Sequence, residues 1–315
     1  MRALVLDDGG VKLEVNRPEP ISRDGEVIVR VRQAGICETD LQLIKGYHNF
    51  RGVLGHEFVG IAQDGAFAGQ RVVAEINCSC HACDTCRAGR PGHCPYRTVL
   101  GIVNHDGAFA DAIAVPECNL HLVPEAIDDD IAVFTEPVAA AFQIPEQITI
   151  RQEDRIVVLG DGRLGNLCAQ VLSSYSDHVT VVGKHEDKLA ILDRMGIETR
   201  LLQAAPRDRS ADIVVDCTGS ESGLPTALEL VRPRGTIVLK TTIAGTQTLA
   251  LAPIVVDEVT VVGSRCGPFD RALDALANGL IDVRPLIADR FSLSDGLHAL
   301  ERAAAPGVLK VLLDI

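Results

Sequence analysis

Tryptophan is absent from this sequence, and aromatic residues make up only 3% of its 315 residues. The interior must therefore be packed mainly with aliphatic side chains, which are available because 47% of the residues are hydrophobic. An excess of basic residues is also lacking, since 30 Lys and Arg stand against 43 Asp and Glu, for a formal net charge of −13. Such a charge repels nucleic acid and anionic lipid. We therefore expect no nucleic-acid partner.

Long hydrophobic runs are missing as well. No apolar stretch approaches the ~20 residues needed to span a bilayer. The N-terminal segment MRALVLDDGG lacks the basic region and the long apolar run of a signal peptide. We expect no membrane partner and a cytoplasmic location, where disulfides are disfavoured. The ten cysteines therefore indicate metal binding, catalysis or simple burial.

Four of these cysteines lie in one short loop, CHACDTCRAGRPGHC, with the spacing Cys-x2-Cys-x2-Cys-x7-Cys. The first Cys-x2-Cys lets two sulfurs on one turn converge on an ion, and the Gly and Pro residues let the chain bend back to supply the fourth. Four thiolates leave no position for water, so such a site is structural and not catalytic. The predicted ligands of this structural zinc are Cys80, Cys83, Cys86 and Cys94.

The pattern of apolar and polar residues changes near residue 150. The length of the chain suits two domains. The earlier part reads as short strands broken by Gly, Pro and Asp, and EVIVRVRQAGI alternates apolar and polar residues as a half-buried strand does. The later part alternates short apolar runs with helical stretches, which is typical of βαβ units around a parallel sheet. We predict an α/β chain with a β-rich domain over residues 1–145 and 280–315 and a doubly wound dinucleotide-binding domain over residues 146–279.

The motif G-x-G-x-x-G follows one of these apolar runs in IVVLGDGRLG. Gly160 permits a tight turn, Gly162 lets a pyrophosphate approach the backbone, and Gly165 allows close packing of helix on strand. The start of the helix, at Arg163 and Leu164, then supplies amide donors and partial positive charge. The motif predicts a dinucleotide site.

The next apolar run ends at Gly183, where an acidic residue normally binds the ribose 2′-hydroxyl of NAD. No acid stands there, and the cationic or titratable residues Lys184, His185 and Lys188 follow. This pattern favours NADP over NAD. NAD stays open as the alternative if the strand runs longer, because Glu186 or Asp187 would then supply the acid.

Three further motifs, GICETD, LGHE and FTEPVAAA, precede the glycine motif. Together with the cysteine loop they occur in an order that resembles the zinc-dependent medium-chain dehydrogenases, and in particular the sorbitol and threonine dehydrogenase branches. The resemblance runs the length of the chain. It implies a GroES-like catalytic domain joined to a Rossmann cofactor domain.

The resemblance also implies two zinc ions per chain, one structural and one catalytic. The catalytic ion would be held by Cys37 and His56, with either Glu57 or Glu136 completing the shell. Asp40 would hold His56 in place, and Thr39 would be the hydroxyl of a proton relay.

Two positions depart from the family pattern or align only loosely with it. Where the family often has a relay histidine, this chain has Gln42, and His48, His105 or water would replace it. Lys310 aligns loosely with a basic residue that the family often has close to the catalytic glutamate and the pyrophosphate, and an ordinary surface lysine is the favoured alternative.

The function that the resemblance implies is a zinc-dependent transfer of hydride between a small alcohol or polyol, or its carbonyl, and a nicotinamide cofactor. The alternative is a non-enzymatic NAD(P)-binding redox sensor or structural relative of the same fold. The family commonly forms homo-oligomers, dimers or tetramers, and the segment VTVVGS is a candidate pairing edge.

Overall fold

The computed structural model describes residues 1–240 and 251–315. Two compact units make up the chain: Met1–Glu136 together with Phe269–Ile315, and Pro137–Pro268. The first unit is thus assembled from both ends of the sequence, while the second is continuous. The predicted domain boundaries, 145/146 and 279/280, stay a prediction.

The strands of the first unit are short and fall mainly in its first 125 residues. They are β1 Ala3–Asp7, β2 Gly10–Glu14, β3 Glu26–Gly35, β4 Gly52–Val53, β5 Glu57–Ala62, β6 Arg71–Ala74, β7 Asn77–Cys78, β8 Thr98–Val99, β9 Ala112–Pro116 and β10 Leu120–Leu122. The strands of the second unit are β11 Arg155–Leu159, β12 His178–Gly183, β13 Glu198–Leu201, β14 Ala211–Asp216, β15 Val231–Leu239 and β16 Thr260–Gly263. The first unit ends with β17 Ile287–Ser292 and β18 Lys310–Asp314.

Helices connect these strands. They are α1 Glu38–Ile44, α2 Asp84–Arg87, α3 Asp129–Ala132, α4 Thr135–Gln147, α5 Arg163–Leu172, α6 Glu186–Arg194, α7 Gly223–Leu230, α8 Ala252–Val256, α9 Phe269–Ala277 and α10 Gly296–Ala303. Single 3₁₀ turns cover Tyr47–Asn49, Pro91–His93, Glu117–Asn119, Leu202–Ala204, Arg284–Leu286 and Leu293–Asp295. None of the helices in the described ranges combines the length and apolarity needed to cross a membrane.

Strand β3 is central to the first unit. Its alternating sequence buries Val27, Val29 and Val31, and the strand then becomes fully buried up to Gly35. It pairs antiparallel with β5, β9 and β18 within a seven-stranded sheet. The C-terminal strand therefore lies beside the end of β3, and this pairing brings the last residues of the chain to the residues that follow Gly35.

The second unit is a six-stranded sheet in which all neighbouring strands run parallel. Its order is β13-β12-β11-β14-β15-β16. Counted from β11 as the first strand, this is 3-2-1-4-5-6, the order of dinucleotide-binding doubly wound sheets. The predicted α/β fold class is confirmed.

The interior of the second unit is aliphatic, as the scarcity of aromatic residues requires. One core cluster consists of Leu159, Val182, Ala205, Ala211, Val214, Ala227, Leu230, Val231, Ile237 and Val259. Its members come from neighbouring strands and from α7, so the sheet is held by side chains that the helices cover. This packing fixes the carboxyl ends of β11 and β12, where the glycine motif and Gly183 lie.

Candidate functional site

The four cysteines of the loop converge in the structure. Their sulfurs are separated by 4.0 Å between Cys80 and Cys86, 3.5 Å between Cys83 and Cys86, 3.8 Å between Cys83 and Cys94 and 3.5 Å between Cys94 and Cys80. Four sulfurs bound tetrahedrally at about 2.3 Å from zinc lie about 3.8 Å from one another. All four are free thiols, and these separations far exceed the ~2.05 Å of a disulfide. The donor set and its geometry fit zinc.

The close approach of the four sulfurs affects the pKa values of their thiols. Backbone N–H groups of Ala82 and Cys83 lower the pKa of Cys80 to about 6. Burial and the neighbouring sulfurs raise the pKa of Cys86 to about 12. Four adjacent thiolates are stable together only around a positive charge, so loading a divalent ion is coupled to the release of protons.

A second group of possible ligands lies at the end of β3 and the start of β5. Donor atoms of Cys37, His56 and Glu57 all lie within 4.8 Å of one another, and His56 and Glu57 are buried. Cys37 directly precedes α1, and Glu57 is the first residue of β5, paired with Gly35. Thiolate, imidazole and carboxylate are the ligand types that zinc takes in catalytic sites with one open position. The residues present therefore fit a catalytic zinc.

Asp40 connects the two segments that carry these ligands. It is fully buried, and its Oδ2 accepts a hydrogen bond from the backbone N–H of Cys37 at 2.8 Å. Its Oδ1 accepts one from the N–H of Gly55 at 3.2 Å. One carboxylate thus fixes the start of α1 against the loop that contains His56.

The imidazole of His56 is only 3% exposed. Its Nδ1 lies 3.3 Å from Asp40 Oδ1, but this buried nitrogen makes no hydrogen bond of acceptable geometry to any described residue, so the contact with Asp40 is electrostatic. Burial by itself lowers the pKa of His56, but the charges of Asp40 and Cys37 outweigh it and raise the pKa well above its usual range. Imidazole ligates metals in its neutral form, so binding of zinc there displaces a proton.

Lys310 lies inside the first unit, and its expected position on the surface is wrong. Its side chain is 2% exposed, and its Nζ forms an ion pair with Glu57 Oε2 and donates to Ile36 O at 3.3 Å. The same Nζ lies 5.5 Å from the centre of the Phe134 ring. The loose family alignment placed Lys310 near a glutamate, as observed. No local pattern could do so, because β18 reaches β3 from more than 270 residues away in the chain.

Close approach at this ion pair requires Gly35. A Cβ at position 35 would lie 2.7 Å from Glu57 Oε2 and 3.4 Å from the Lys310 side chain. A larger residue there would displace the carboxylate from its partner.

Of the remaining residues predicted for the catalytic site, Thr39 lies beside Cys37, whereas Glu136 lies outside the group of ligand atoms. Thr39 Oγ1 is 3.7 Å from Cys37 Sγ. Glu136 lies in the first turn of α4 and does not belong to the group of donor atoms formed by Cys37, His56 and Glu57 among the described residues. Gln42 donates to Glu38 Oε1 at 2.8 Å on the outer face of α1.

Two histidines, His48 and His105, were considered as replacements for the relay histidine of the family, and both contact residues next to them in the chain. His48 is exposed and its ring lies 4.1 Å from that of Tyr47. His105 Nδ1 donates to the backbone oxygen of Asp106 at 2.7 Å. Either role as a proton acceptor stays a prediction.

The glycine motif lies between β11 and α5, and each glycine has a different surrounding. Gly160 has φ +111°, a conformation that L side chains rarely adopt. A Cβ at Gly165 would lie 2.0 Å from Gly160 O, whereas one at Gly162 would meet no atom of the described residues within 4 Å. Open space at Gly162, directly before the first turn of α5, fits the approach of a pyrophosphate to the backbone. Arg163 and Leu164 begin α5.

Strand β12 ends at Gly183, and Lys184 and His185 lie between it and α6. Glu186 and Asp187, the acids that a longer strand would have aligned with the ribose site, are exposed residues of the first turn of α6, which also contains Lys188.

A residue that sequence reasoning did not consider, Asp161, reaches the end of β12 from the glycine loop. A charged residue between the first two glycines of the motif was the signal that could have revealed it.

Family comparisons match both units of the chain. The alcohol dehydrogenase GroES-like domain matches residues 23–125, and the zinc-binding dehydrogenase domain matches residues 164–278. The chain belongs to the zinc-dependent medium-chain dehydrogenases. The predicted family and the GroES-like and Rossmann-type domains are confirmed, and the chain is therefore an oxidoreductase of the alcohol dehydrogenase superfamily.

Individual relatives of this dehydrogenase cover almost its whole length. A sorbitol dehydrogenase of Halalkalibacterium halodurans is 27% identical over 99% of both chains. The crystal structure of an Escherichia coli alcohol dehydrogenase complexed with NADH is 27% identical, covers 100% of this chain and 99% of the other, and has a TM-score of 0.91. A zinc-binding dehydrogenase of Sinorhizobium meliloti bound to NADP is also 27% identical, with the same coverage and a TM-score of 0.88. One of these solved relatives thus holds NADH and the other holds NADP.

The buried ion pair makes a prediction for stability. Lys310→Met leaves the Glu57 carboxylate buried without its partner, and we expect the free energy of unfolding to fall by about 3–5 kcal/mol. The double variant Lys310→Met/Glu57→Gln should recover most of this loss, because no uncompensated charge remains. Urea unfolding in the presence of a chelator measures both effects independently of metal binding.

The matched control is Lys45→Met, which removes an exposed lysine from the same unit. We expect it to change stability by no more than about 0.5 kcal/mol. A loss for Lys310→Met no larger than that for Lys45→Met, or a double variant as unstable as the single one, would contradict the ion pair.

Proposed function

We propose that this chain is a zinc-dependent, NAD(P)-linked dehydrogenase of polyols or related hydroxyl compounds, acting in either direction between alcohol and carbonyl. The observation that carries the proposal is the group formed by Cys37, His56 and Glu57, whose donor atoms lie within 4.8 Å of one another. A carboxylate in place of a second thiolate gives the site a ligand set different from two cysteines and one histidine. The similarity to a sorbitol dehydrogenase supports a polyol.

The chemistry divides between the bound groups and the chain. Bound zinc would supply polarisation of the substrate oxygen, and a bound nicotinamide would supply hydride exchange with the substrate carbon. Cys37, His56 and Glu57 would hold the metal, and Asp40 keeps the segments that carry Cys37 and His56 in register. Lys310 orients Glu57 through their ion pair.

The proton released from the substrate hydroxyl would need a relay that passes it on toward solvent. Thr39 is the candidate, because its hydroxyl lies 3.7 Å from the sulfur of Cys37 and a hydroxyl both accepts and donates. Gln42, one turn further along α1, cannot take up a proton. His48, His105 or water would carry it onward.

We further propose two zinc ions per chain. The cysteine cluster supports a structural ion, because its four sulfurs already have the separations of a tetrahedral shell. The second group of ligands supports the catalytic ion. The two sites use different residues and are separable by substitution.

The proposed activity is tested by following nicotinamide absorbance with NAD and NADP separately, across alcohols, polyols, sugars and amino alcohols. We expect a rate with a polyol that a zinc chelator abolishes and that added zinc restores. Cys37→Ser should lower kcat/KM by at least about 100-fold, because it removes a metal ligand. A rate that survives both the chelator and Cys37→Ser would contradict a zinc-dependent reaction. Tight dinucleotide binding without any rate would favour the non-enzymatic sensor.

The third ligand of the catalytic zinc is proposed to be Glu57 and not Glu136. The support is that Glu57 belongs to the group of converging donor atoms, whereas Glu136 does not. Glu57→Gln should therefore weaken zinc binding by about 10-fold or more, while Glu136→Gln leaves zinc content unchanged. Zinc per chain after dialysis against graded chelator measures this. Loss of zinc from Glu136→Gln alone would reverse the assignment.

We also propose that two copies of the chain pair through β16. This strand is the last of the described sheet, three of its four residues are exposed, and a flat edge strand readily pairs with another. Nearby Leu251, Val255 and Val256 are 62%, 73% and 78% exposed, an apolar surface that a second copy would cover.

Light scattering of the protein as it elutes from a size-exclusion column measures its mass and so tests the pairing. We expect a dimer or tetramer for the unaltered chain and a monomer for Val261→Lys, because a charge on an edge strand opposes pairing. Val15→Lys, at a valine 59% exposed in the first unit, is the control and should leave the mass unchanged. A monomer before substitution would contradict the proposal.

A further inference from the structure

The carboxyl end of β12 holds a carboxylate that does not belong to β12. In doubly wound domains, an acid at this place binds the ribose 2′-hydroxyl of NAD. Gly183 occupies the position in the chain, but a Cβ built on Gly183 would lie 2.5 Å from Asp161 Oδ2. Asp161, which lies between Gly160 and Gly162, therefore fills the space that a side chain at position 183 would take.

Asp161 is held there by several contacts. Its Oδ2 accepts hydrogen bonds from the backbone N–H groups of Lys184 at 2.6 Å and His185 at 2.7 Å. The Nδ1 of His185 lies 3.1 Å from both carboxylate oxygens. The residue is 7% exposed. Burial alone raises the pKa of Asp161, but the hydrogen bonds from His185 and Lys184 outweigh it and hold the pKa below its usual range. The group is thus an ordered anion at neutral pH.

Those two N–H groups directly precede α6, where amide donors and the helix dipole attract anions. They are donors of the kind that would hold a 2′-phosphate, and Asp161 already uses them. The 2′-phosphate of NADP carries a charge of about −1.5 to −2, as phosphate monoesters do near neutral pH. It would therefore meet both occupied donors and a fixed negative charge.

The cations nearby are less well placed to offset this charge. Lys184 is exposed and Lys188 is partly exposed, so solvent and salt screen them. The imidazole of His185 is engaged with Asp161 itself. Glu186 and Asp187 add negative charge in the first turn of α6. Asp161 is screened much less than any of the exposed groups because it is nearly buried.

The uncharged ribose of NAD has no such conflict. Asp161 Oδ1 takes part only in the contact with His185 among the described residues, and a carboxylate oxygen can accept more than one hydrogen bond. It therefore keeps capacity for a ribose hydroxyl. An acid supplied by the glycine loop can do what an acid at the end of β12 does in other dinucleotide-binding domains.

We propose that Asp161 is a specificity-determining residue that makes this chain prefer NAD to NADP. The inference rests on the proposed nicotinamide-dinucleotide function. It runs against the sequence prediction of NADP, whose premise was that no acid stands at the end of β12. That premise is wrong, because Asp161 places an acid at the end of β12 from a different part of the chain.

The test is the dissociation constants of NADH and NADPH, measured by calorimetric titration of the full chain without substrate. We expect NADH to bind at least roughly tenfold more tightly than NADPH, because like charges at short range oppose the phosphate. Asp161→Asn keeps the shape and an acceptor for the two N–H groups but removes the charge. It should lower the ratio of the NADPH dissociation constant to the NADH dissociation constant by roughly tenfold, chiefly because NADPH binds more tightly.

Two further variants keep the test decisive. Asp161→Ala frees both N–H groups and should shift the ratio in the same direction, so it replaces Asp161→Asn if that variant does not fold. Asp154→Asn is the matched control, since Asp154 Oδ2 also accepts a backbone N–H, from Arg151, but at the opposite end of β11. It should leave the ratio unchanged.

The outcomes separate the two proposals. Equal or tighter binding of NADPH to the unaltered chain, or a substitution at Asp161 that weakens both dinucleotides equally, overturns the role of Asp161 while the dehydrogenase function stands. Failure of the unaltered chain to bind either dinucleotide overturns both.

Discussion

The buried carboxylate of Asp40 is the contact on which the candidate catalytic site depends. It joins the N–H of Cys37, at the start of α1, to the N–H of Gly55, next to His56. Two ligands from separate segments therefore share one anchor, and the anchor lies against His56 as well. An acid with no exposed surface is costly to bury unless it is hydrogen-bonded, and here two backbone N–H groups and the adjacent imidazole of His56 offset that cost.

A second buried charge extends this arrangement to the other end of the chain. Lys310 enters with β18 and pairs with Glu57, so the fold of the first unit needs its last strand before the ligand group is complete. Positioning of the metal ligands is thus coupled to a contact between residues far apart in sequence. The same principle operates in the second unit, where Asp161 crosses from the glycine loop to the end of β12. In both units a carboxylate is fixed by donors from a neighbouring strand end.

Much of the fold and of the ligand set followed from local patterns. Spacing alone predicted that Cys80, Cys83, Cys86 and Cys94 form one group, because short intervals leave the chain few other geometries. The apolar runs and the glycine motif predicted the parallel sheet. Local patterns did not predict the surroundings of individual charged side chains. A surface position was favoured for Lys310 over the loose family alignment because lysine is usually exposed, and only the pairing of β18 with β3 buries it.

The sequence by itself determined to which family the chain belongs, and it indicated the candidate zinc ligands and the glycine motif of a candidate dinucleotide site. These properties depend on residue types at short spacing. The tertiary structure decided which of the two glutamates lies beside Cys37 and His56, which residue Lys310 contacts, and which carboxylate stands next to Gly183. Each of these depends on side chains brought together by strand pairing or loop crossing, and electrostatic interaction depends on separation in space and burial, not on separation along the chain.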